Sequence, residues 1–434
     1  MRHLIIKNVG PIKNVDIELK RFNILIGAQS SGKSTIAKIL STCSWVEKEI
    51  ATTQNPNAVQ DAASFKSLVE NFHKMVGYFN DGSEIYYETD AIKIHYLPTN
   101  LDVKLKDDVI YKRKKVCYIP SERNIVTLPE LQGYEFKATN LRSFLFDWLA
   151  AREYYGPANK TENILDLGVR YFFNDNEPFE KDRIEHSNGV TYGISLPNAS
   201  SGLQSVVPLF IMLQYYSGQY FKDYSGKVSF VSKAKERNLM LSLVEKYIVS
   251  RMPVGDETDA LTLMNKCFKE ANDGNKEYAG WIREIYKVLE SLTVPQNTDF
   301  IVEEPEQNLF PSTQKSLVEN LVRTCNENGH EHGFTLTTHS PYVLSALNNL
   351  IYAYQVGQKN DVSDIVPKQC WIAPSDVCAW MVMDNGTVED IIDSELKHIM
   401  AEKIDSVSTC INETFDSLME RDLYGENEKE TARV

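Results

Sequence analysis

The sequence predicts an α/β fold with a mixed sheet, an N-terminal antiparallel β subdomain and helical insertions. Three observations carry this prediction. An apolar run at 22–26 leads into a glycine-containing turn that opens a helix. Two further apolar runs, at 300–302 and 334–337, each end in polar side chains. Such polar ends are typical of open α/β sheets, which bind ligands at the carboxyl ends of buried parallel strands.

The elements around these runs follow from periodicity and turn residues. Strands are predicted where apolar and polar residues alternate or where a short apolar run is bounded by turn residues. They fall at 4–6, 15–19, 85–88, 92–96, 116–120 and in a hairpin at 182–196. Asn188-Gly189 favours a tight turn in that last hairpin. Helices are predicted at 141–155, 202–216 and 395–418, and helical periodicity dominates 44–78 and 230–292.

The turn after the first apolar run matches the P-loop pattern. Backbone N–H groups of such a loop, together with the helix N-terminus, wrap a phosphate. Lys33 would reach the β- and γ-phosphates, and the Ser34 hydroxyl would bind Mg²⁺. An ordinary strand–turn–helix is the alternative, but the flanking strand and helix favour the P-loop. The predicted nucleotide-binding residues here are Gly27, Ser30, Ser31, Gly32, Lys33, Ser34 and Thr35.

Acidic residues directly follow the second apolar run. Glu303 would hold the Mg²⁺, directly or through water, and Glu304 would act as the general base that polarises the attacking water. A solvated acidic loop is the alternative. Because the two carboxylates come directly after a buried strand, at the edge where ligands bind, the catalytic interpretation is favoured.

A histidine and a helix start complete the candidate site. His339 ends the third apolar run and would reach the γ-phosphate or the attacking water. Ser201, Gly202 and Gln204 open a helix, where small hydroxyl residues and glycine form an anion site. Taken alone, the second feature is more typical of a plain helix cap.

Taken in order, these motifs resemble the ABC-type ATPase heads of the OLD, RecF and SMC branch. They are the P-loop, Ser-Ser-Gly-x-Gln, Glu-Glu-Pro-Glu and Thr-His-Ser-Pro. The resemblance covers about 1–45, 85–225 and 295–395. It implies that the P-loop is Walker A, that Glu303 and Glu304 are the Walker B pair, and that His339 is the switch histidine. Ser201, Gly202 and Gln204 fall in the signature motif, which in the family contacts the γ-phosphate of the partner subunit's ATP.

The same resemblance implies a homodimer that sandwiches two ATP molecules, closing on binding and opening on hydrolysis. Three departures stand out. Glu303 replaces the usual Asp, which predicts slow hydrolysis, and the signature lacks its second glycine. The stretch 118–123, where the family has its Q-loop, holds no glutamine; Glu122 and Arg123 are the candidates there.

Domain boundaries follow from the extent of the resemblance. We expect residues 1–225 to form the first part of the head, with a helical insertion at about 45–84. A second helical insertion is expected at 226–294. The rest of the head, with terminal helices, is expected at 295–423, and a frayed tail at 424–434.

Composition limits the partners. The formal net charge is −14, which argues against a surface that coats nucleic acid, although a local DNA contact remains open. The densest basic run, 112–115, leads into an apolar strand and is interpreted as a solvated strand entrance. Seven cysteines without a CxxC pair indicate a reducing cytoplasm. No apolar stretch approaches the length of a membrane span, and the start is too charged for a signal peptide.

The biological role is predicted only by analogy. OLD nucleases carry a Toprim domain after the head, but no Glu plus Asp-x-Asp constellation follows residue 345, and Asp384-Asn385-Gly386 is predicted to be a turn. The chain therefore resembles stand-alone ATPases of anti-phage systems such as PARIS and Septu, which control a separately encoded effector protein. A DNA-repair or chromosome-associated ATPase is the alternative. A small-molecule kinase or GTPase is disfavoured, because no guanine-reading Asn-Lys-x-Asp is present.

Overall fold

A computed structural model gives the architecture. It describes residues 2–55, 59–106, 111–128, 137–177, 180–186, 193–226, 239–241, 243, 260–327, 329–400, 412–419 and 421. The Asn188-Gly189 turn, most of 227–259 and the 424–434 tail lie outside these residues. Among the helices described, none has the length and apolar character needed to cross a membrane.

The N-terminal part forms a five-stranded antiparallel sheet in the order β2-β1-β4-β5-β6. Its strands are β1 (Arg2–Val9), β2 (Ile12–Leu19), β4 (Phe79–Glu88), β5 (Ile92–Leu97) and β6 (Asn100–Leu105). Alternate residues of β2 are buried, as expected for a sheet with one face on the core. The predicted antiparallel β subdomain is confirmed. Strand β6 was not predicted, because most of its side chains are only half-buried and its alternation is weak.

A six-stranded mixed sheet forms the centre, in the order β14-β13-β3-β12-β11-β7. All neighbours are parallel except β13 and β14, which are antiparallel around the predicted Asp384-Asn385-Gly386 turn. The strands are β3 (Phe22–Gly27), β7 (Lys114–Ile119), β11 (Asn297–Glu303), β12 (Gly333–Thr338), β13 (Val377–Val382) and β14 (Val388–Asp390). The predicted α/β fold with a mixed sheet is therefore confirmed.

A third, small antiparallel sheet and the helices complete the described part. The small sheet has the order β10-β9-β8, from β8 (Val169–Phe173), β9 (Asp182–His186) and β10 (Gly193–Ser195). A π-helical turn, Tyr215–Gln219, joins α4 to α5. The helices are α1 (Lys33–Thr53), α2 (Ala62–His73), α3 (Asn140–Arg152), α4 (Ser201–Gln214), α5 (Tyr220–Gly226), α6 (Ala260–Asn272), α7 (Lys276–Thr293), α8 (Pro311–Asn326) and α9 (Pro341–Gly357).

The central sheet is covered on both faces, which explains why its strands are continuous apolar runs. Ile24 of β3 points into a core shared with α4, α8 and α9. Its neighbour Leu25 points into the opposite core, which contains α1 and the N-terminal sheet. Because successive side chains of a strand alternate in direction, both faces of β3 must be apolar.

Helix α1 continues to Thr53, because Val46 and Ile50 remain buried against the core. The helical insertion expected at about 45–84 stays a prediction. One expectation about helices needs correction. The helix predicted from Glu395 is wrong for 395–400. The Asp393 carboxylate accepts the backbone N–H groups of Glu395 and Leu396, a local turn that competes with helix formation. Residues 412–419 are helical.

Candidate functional site

The loop between β3 and α1 is closely packed on both sides. Gly27 has φ 156°, and a Cβ there would lie 2.3 Å from the Val382 carbonyl oxygen of β13. Gly32 has φ 112°, and a Cβ there would meet the Ile12 side chain at 2.4 Å. Both positions therefore require glycine. The loop is held between the end of β13 and the β1–β2 turn, at the carboxyl edge of the central sheet.

Lys33 is folded into this loop. Its Nζ donates to the carbonyl oxygens of Gly27 at 3.0 Å and Ala28 at 2.7 Å. Burial lowers the pKa of Lys33, and nearby carboxylates, Glu304 first, oppose that effect. The Ser31 hydroxyl is buried and has no hydrogen-bond partner in the described part of the chain. The Lys33 amine and the Ser31 hydroxyl are both hydrogen-bond donors in the loop between Gly27 and Gly32. The loop residues therefore fit a bound phosphate.

Glu303 is the last residue of β11, and its side chain is buried with 3% exposure. The Tyr118 hydroxyl, at the end of neighbouring β7, donates to Glu303 Oε1. Burial raises the pKa of Glu303, and the charge of Lys38 opposes this rise. Strand β12 alone separates β11 from β3, so Glu303 and Ser34 belong to the same edge. A carboxylate and a hydroxyl are oxygen ligands that suit Mg²⁺.

Glu304 and His339 lie side by side. Glu304 Oε1 is 3.5 Å from His339 Nε2, and His339 Nδ1 is 3.5 Å from Lys33 Nζ. The parallel strands β3, β12 and β11 deliver these three side chains to one edge, with His339 in the middle. The structure therefore brings together the predicted lysine, base and switch histidine. It leaves the Glu304 side chain about one-third exposed, where it can meet water.

Three supporting residues have contacts that were not predicted from sequence. Glu306 Oε1 accepts from the Thr338 hydroxyl at 2.8 Å and from the His339 backbone N–H at 2.7 Å, which fixes the end of β12. Tyr118 positions Glu303. Arg123, a Q-loop candidate, is buried behind the strand ends, and burial lowers its pKa to about 10. The only feature of the sequence that indicated a role for Glu306 was its place as the third acid of the Glu-Glu-Pro-Glu motif.

The signature residues lie at the start of α4, beside the segment that follows Glu304. A Cβ on Gly202 would lie 2.9 Å from the Asn308 carbonyl oxygen. Ser201 is exposed, and Ser200 caps the helix by accepting from Leu203 N–H at 3.4 Å. Gln204 donates to the carbonyl oxygens of Pro197 and Ala199, so its amide nitrogen is engaged within its own turn. Nucleotide contact by these residues remains a prediction.

No family model matches the chain, and no curated protein matches it. Among solved structures, the SMC head domain from Thermotoga maritima is 9% identical, with 80% of this chain and 92% of that chain covered and a TM-score of 0.34. A dimeric bacterial ABC transporter cassette is 12% identical, with 89% and 96% covered and a TM-score of 0.30. The recombination mediator RecF with ATP is 12% identical, with 89% and 98% covered and a TM-score of 0.28.

At such identities and TM-scores, these matches do not transfer a function to this chain. The class follows from the chain's own geometry. A buried strand, a glycine-bounded phosphate loop and a helix, with acids at the end of the next-but-one parallel strand, form the arrangement of α/β P-loop NTPases.

Proposed function

We propose that the chain binds Mg-ATP at the loop between β3 and α1 and hydrolyses it. The observation that carries this proposal is the row Lys33, His339 and Glu304, with 3.5 Å between successive side chains, at the carboxyl edge of the sheet. Lys33 would leave the loop carbonyls for the β- and γ-phosphates. Catalysis would then consist mainly of positioning and charge stabilisation, as is general for phosphoryl transfer.

Each residue has a role in this proposal. Glu303 and Ser34 hold the Mg²⁺, and Glu304 accepts a proton from the attacking water. His339 contacts the γ-phosphate and orients that water. Ser201 and Gly202 of a second copy complete the phosphate site in a sandwich dimer, and the γ-phosphate supplies the contact that distinguishes closed from open states.

Two substitutions test the proposal. Glu304→Gln is expected to keep ATP binding and to lower the hydrolysis rate about 100-fold or more, because general-base catalysis contributes on that order. Lys33→Ala is expected to abolish ATP binding. Steady-state phosphate release and binding of a fluorescent ATP analogue measure both effects. Glu185→Gln, on β9 in the small sheet, is the matched control and should behave as wild type. Hydrolysis by Glu304→Gln at the wild-type rate contradicts the assignment.

The wider role we propose is an ATP-driven switch, in the cytoplasm, that controls a separate effector protein in anti-phage defence. The net charge of −14 and the lack of a long heptad repeat in the sequence support this role over direct action on DNA. The alternative is a DNA-associated ATPase. An ATPase rate that duplex DNA stimulates, with a steep loss between about 50 and 200 mM salt, would favour that alternative.

A further inference from the structure

Arg123 is a buried cation, and within the described part of the chain all its hydrogen bonds go to backbone carbonyl oxygens. Its side chain is fully buried, with 0% exposure. Nε donates to Ser205 O at 3.0 Å, Nη1 to Glu303 O at 2.9 Å and Nη2 to Glu304 O at 2.8 Å. A buried guanidinium is costly unless its donors are satisfied. Here the N–H donors of the planar guanidinium are satisfied by carbonyl oxygens of two separate chain segments, and the side chain thereby links these segments.

One of these segments is the backbone of the proposed base. Glu304 has φ 44°, a left-handed conformation that non-glycine residues rarely adopt. Its N–H donates to Thr337 O at 2.8 Å, and its carbonyl accepts from Arg123. The residue is thus held from both sides in a strained conformation that directs its carboxylate toward His339. Strain of this kind persists only where the surroundings enforce it, and it is concentrated at functional sites.

The other segment is the N-terminal part of α4. Ser205 follows Ser201 by one helical turn, so the Arg123–Ser205 bond anchors the end of α4 that carries the signature residues. The guanidinium therefore spans the gap between α4 and the end of β11. A displacement of α4 relative to the sheet would stretch this bond or carry the Glu304 backbone with it.

We infer that Arg123 is a positioning residue for hydrolysis, which holds the Glu304 backbone in its strained conformation and sets it relative to α4. The inference rests on the proposed ATPase function and assigns Arg123 no contact with the nucleotide. The positioning role predicts a specific kinetic effect. Loss of the guanidinium leaves the phosphate loop intact and displaces Glu304, so the hydrolysis rate falls while ATP binding is retained.

The test uses Arg123→Lys, which keeps the buried charge and loses the fork. A second variant, Arg123→Gln, removes the charge and keeps an NH₂ donor. It provides an independent measurement in case Arg123→Lys does not fold. The Kd for ATP and the single-turnover hydrolysis rate are measured on the full chain. We expect a Kd within about 3-fold of wild type and a rate lowered on the order of 100-fold, the loss typical of a base misplaced by about 1 Å.

Arg152→Lys is the matched control, because Arg152 is a half-buried arginine of α3 that pairs with Asp182 away from β11. It should keep the wild-type rate. A wild-type rate in Arg123→Lys would overturn the positioning role. So would a general loss of folding, in which both Arg123 variants show a lower melting temperature, weaker ATP binding and slower hydrolysis together. If wild type and Glu304→Gln hydrolyse ATP equally, the proposed function itself fails and the inference fails with it.

Discussion

His73, at the end of α2, is a buried residue whose protonation limits stability in acid. Its side chain is 1% exposed, and within the described part of the chain neither ring nitrogen has a hydrogen-bond partner. Burial, with a smaller contribution from Lys38, lowers its pKa to about 3. Because the unfolded chain binds this proton near pH 6.5, the unfolded state gains protons first as the pH falls. Stability is therefore lost from pH 6.5 downward.

We expect His73→Phe to reduce this acid sensitivity. As the pH falls below 6.5, protonation of His73 in the unfolded chain lowers the free energy of unfolding of the wild type by up to about 1.4 kcal/mol per pH unit. A phenyl ring suits the site, which lies between the Phe72 and Tyr118 rings. Urea unfolding at pH 7, 6 and 5 measures the effect, with His398→Phe as the partly exposed control. Parallel pH dependences in wild type and His73→Phe would contradict it.

At the scale of single residues, short motifs selected three side chains that the structure places in one row, with 3.5 Å between successive groups. Lys33, Glu304 and His339 were identified because each follows an apolar run that is itself recognisable. The contacts of Tyr118 and Arg123 were not predicted, because their partners at 205, 303 and 304 lie far along the chain. Their roles depend on the position of β7 beside β11, and a single sequence does not encode strand order in any local pattern.

Between elements, the contact of β7 with β11 controls the proposed metal site. Tyr118 reaches from β7 to the Glu303 carboxylate, and removal of its hydroxyl leaves a buried oxygen without that donor. We expect Tyr118→Phe to raise the Mg²⁺ concentration for half-maximal hydrolysis on the order of 10-fold, as is typical for partners of metal ligands. Titration of the ATPase rate with Mg²⁺ measures this.

The control is Tyr171→Phe. Tyr171 is also buried and donates to a carboxylate, Asp182, but it lies in the small sheet. Its loss should leave the Mg²⁺ dependence unchanged. Equal Mg²⁺ curves for Tyr118→Phe and wild type would show that the hydroxyl has no part in metal binding.

Buried parallel strands were predictable as elements, whereas irregular ends were not. Strands β3 and β11 are apolar on both faces, which gives a continuous signal. The segment after Asp393 has helical composition, but it forms a turn that the side-chain amide of Asn348 fixes. Its Nδ2 donates to the Ile399 carbonyl oxygen, and its Oδ1 accepts from the Ile399 N–H. A contact from α9 therefore decided the conformation of a segment about 50 residues away.

For the whole molecule, the proposed sandwich predicts a change of mass on nucleotide binding. Phe310 and Tyr342 are 75% and 54% exposed at the starts of α8 and α9, on the edge that carries Glu304 and His339. We expect Glu304→Gln to form a dimer, or a multiple of dimers, with Mg-ATP, because bound ATP is not consumed. Light scattering with and without Mg-ATP measures this.

Lys33→Ala combined with Glu304→Gln is the control and should keep its mass in Mg-ATP. A Glu304→Gln protein that stays monomeric in saturating Mg-ATP would contradict the sandwich. A further substitution, Phe310→Ser, is expected to weaken the dimer while leaving ATP binding to the monomer unchanged, since Phe310 lies at the start of α8 and is not among the proposed nucleotide-binding residues.

The position of β3 in the centre of the sheet has a consequence for biosynthesis. Asn23 of β3 bonds to Phe334 of β12, 311 positions later, and β13 follows further still. At about 5–20 residues per second, a ribosome needs roughly 15–60 s to make the intervening chain. During that time β3 has neither parallel neighbour. The central sheet therefore closes only late in synthesis or after release, and until then the backbone edges of the apolar strand β3 lack their partners.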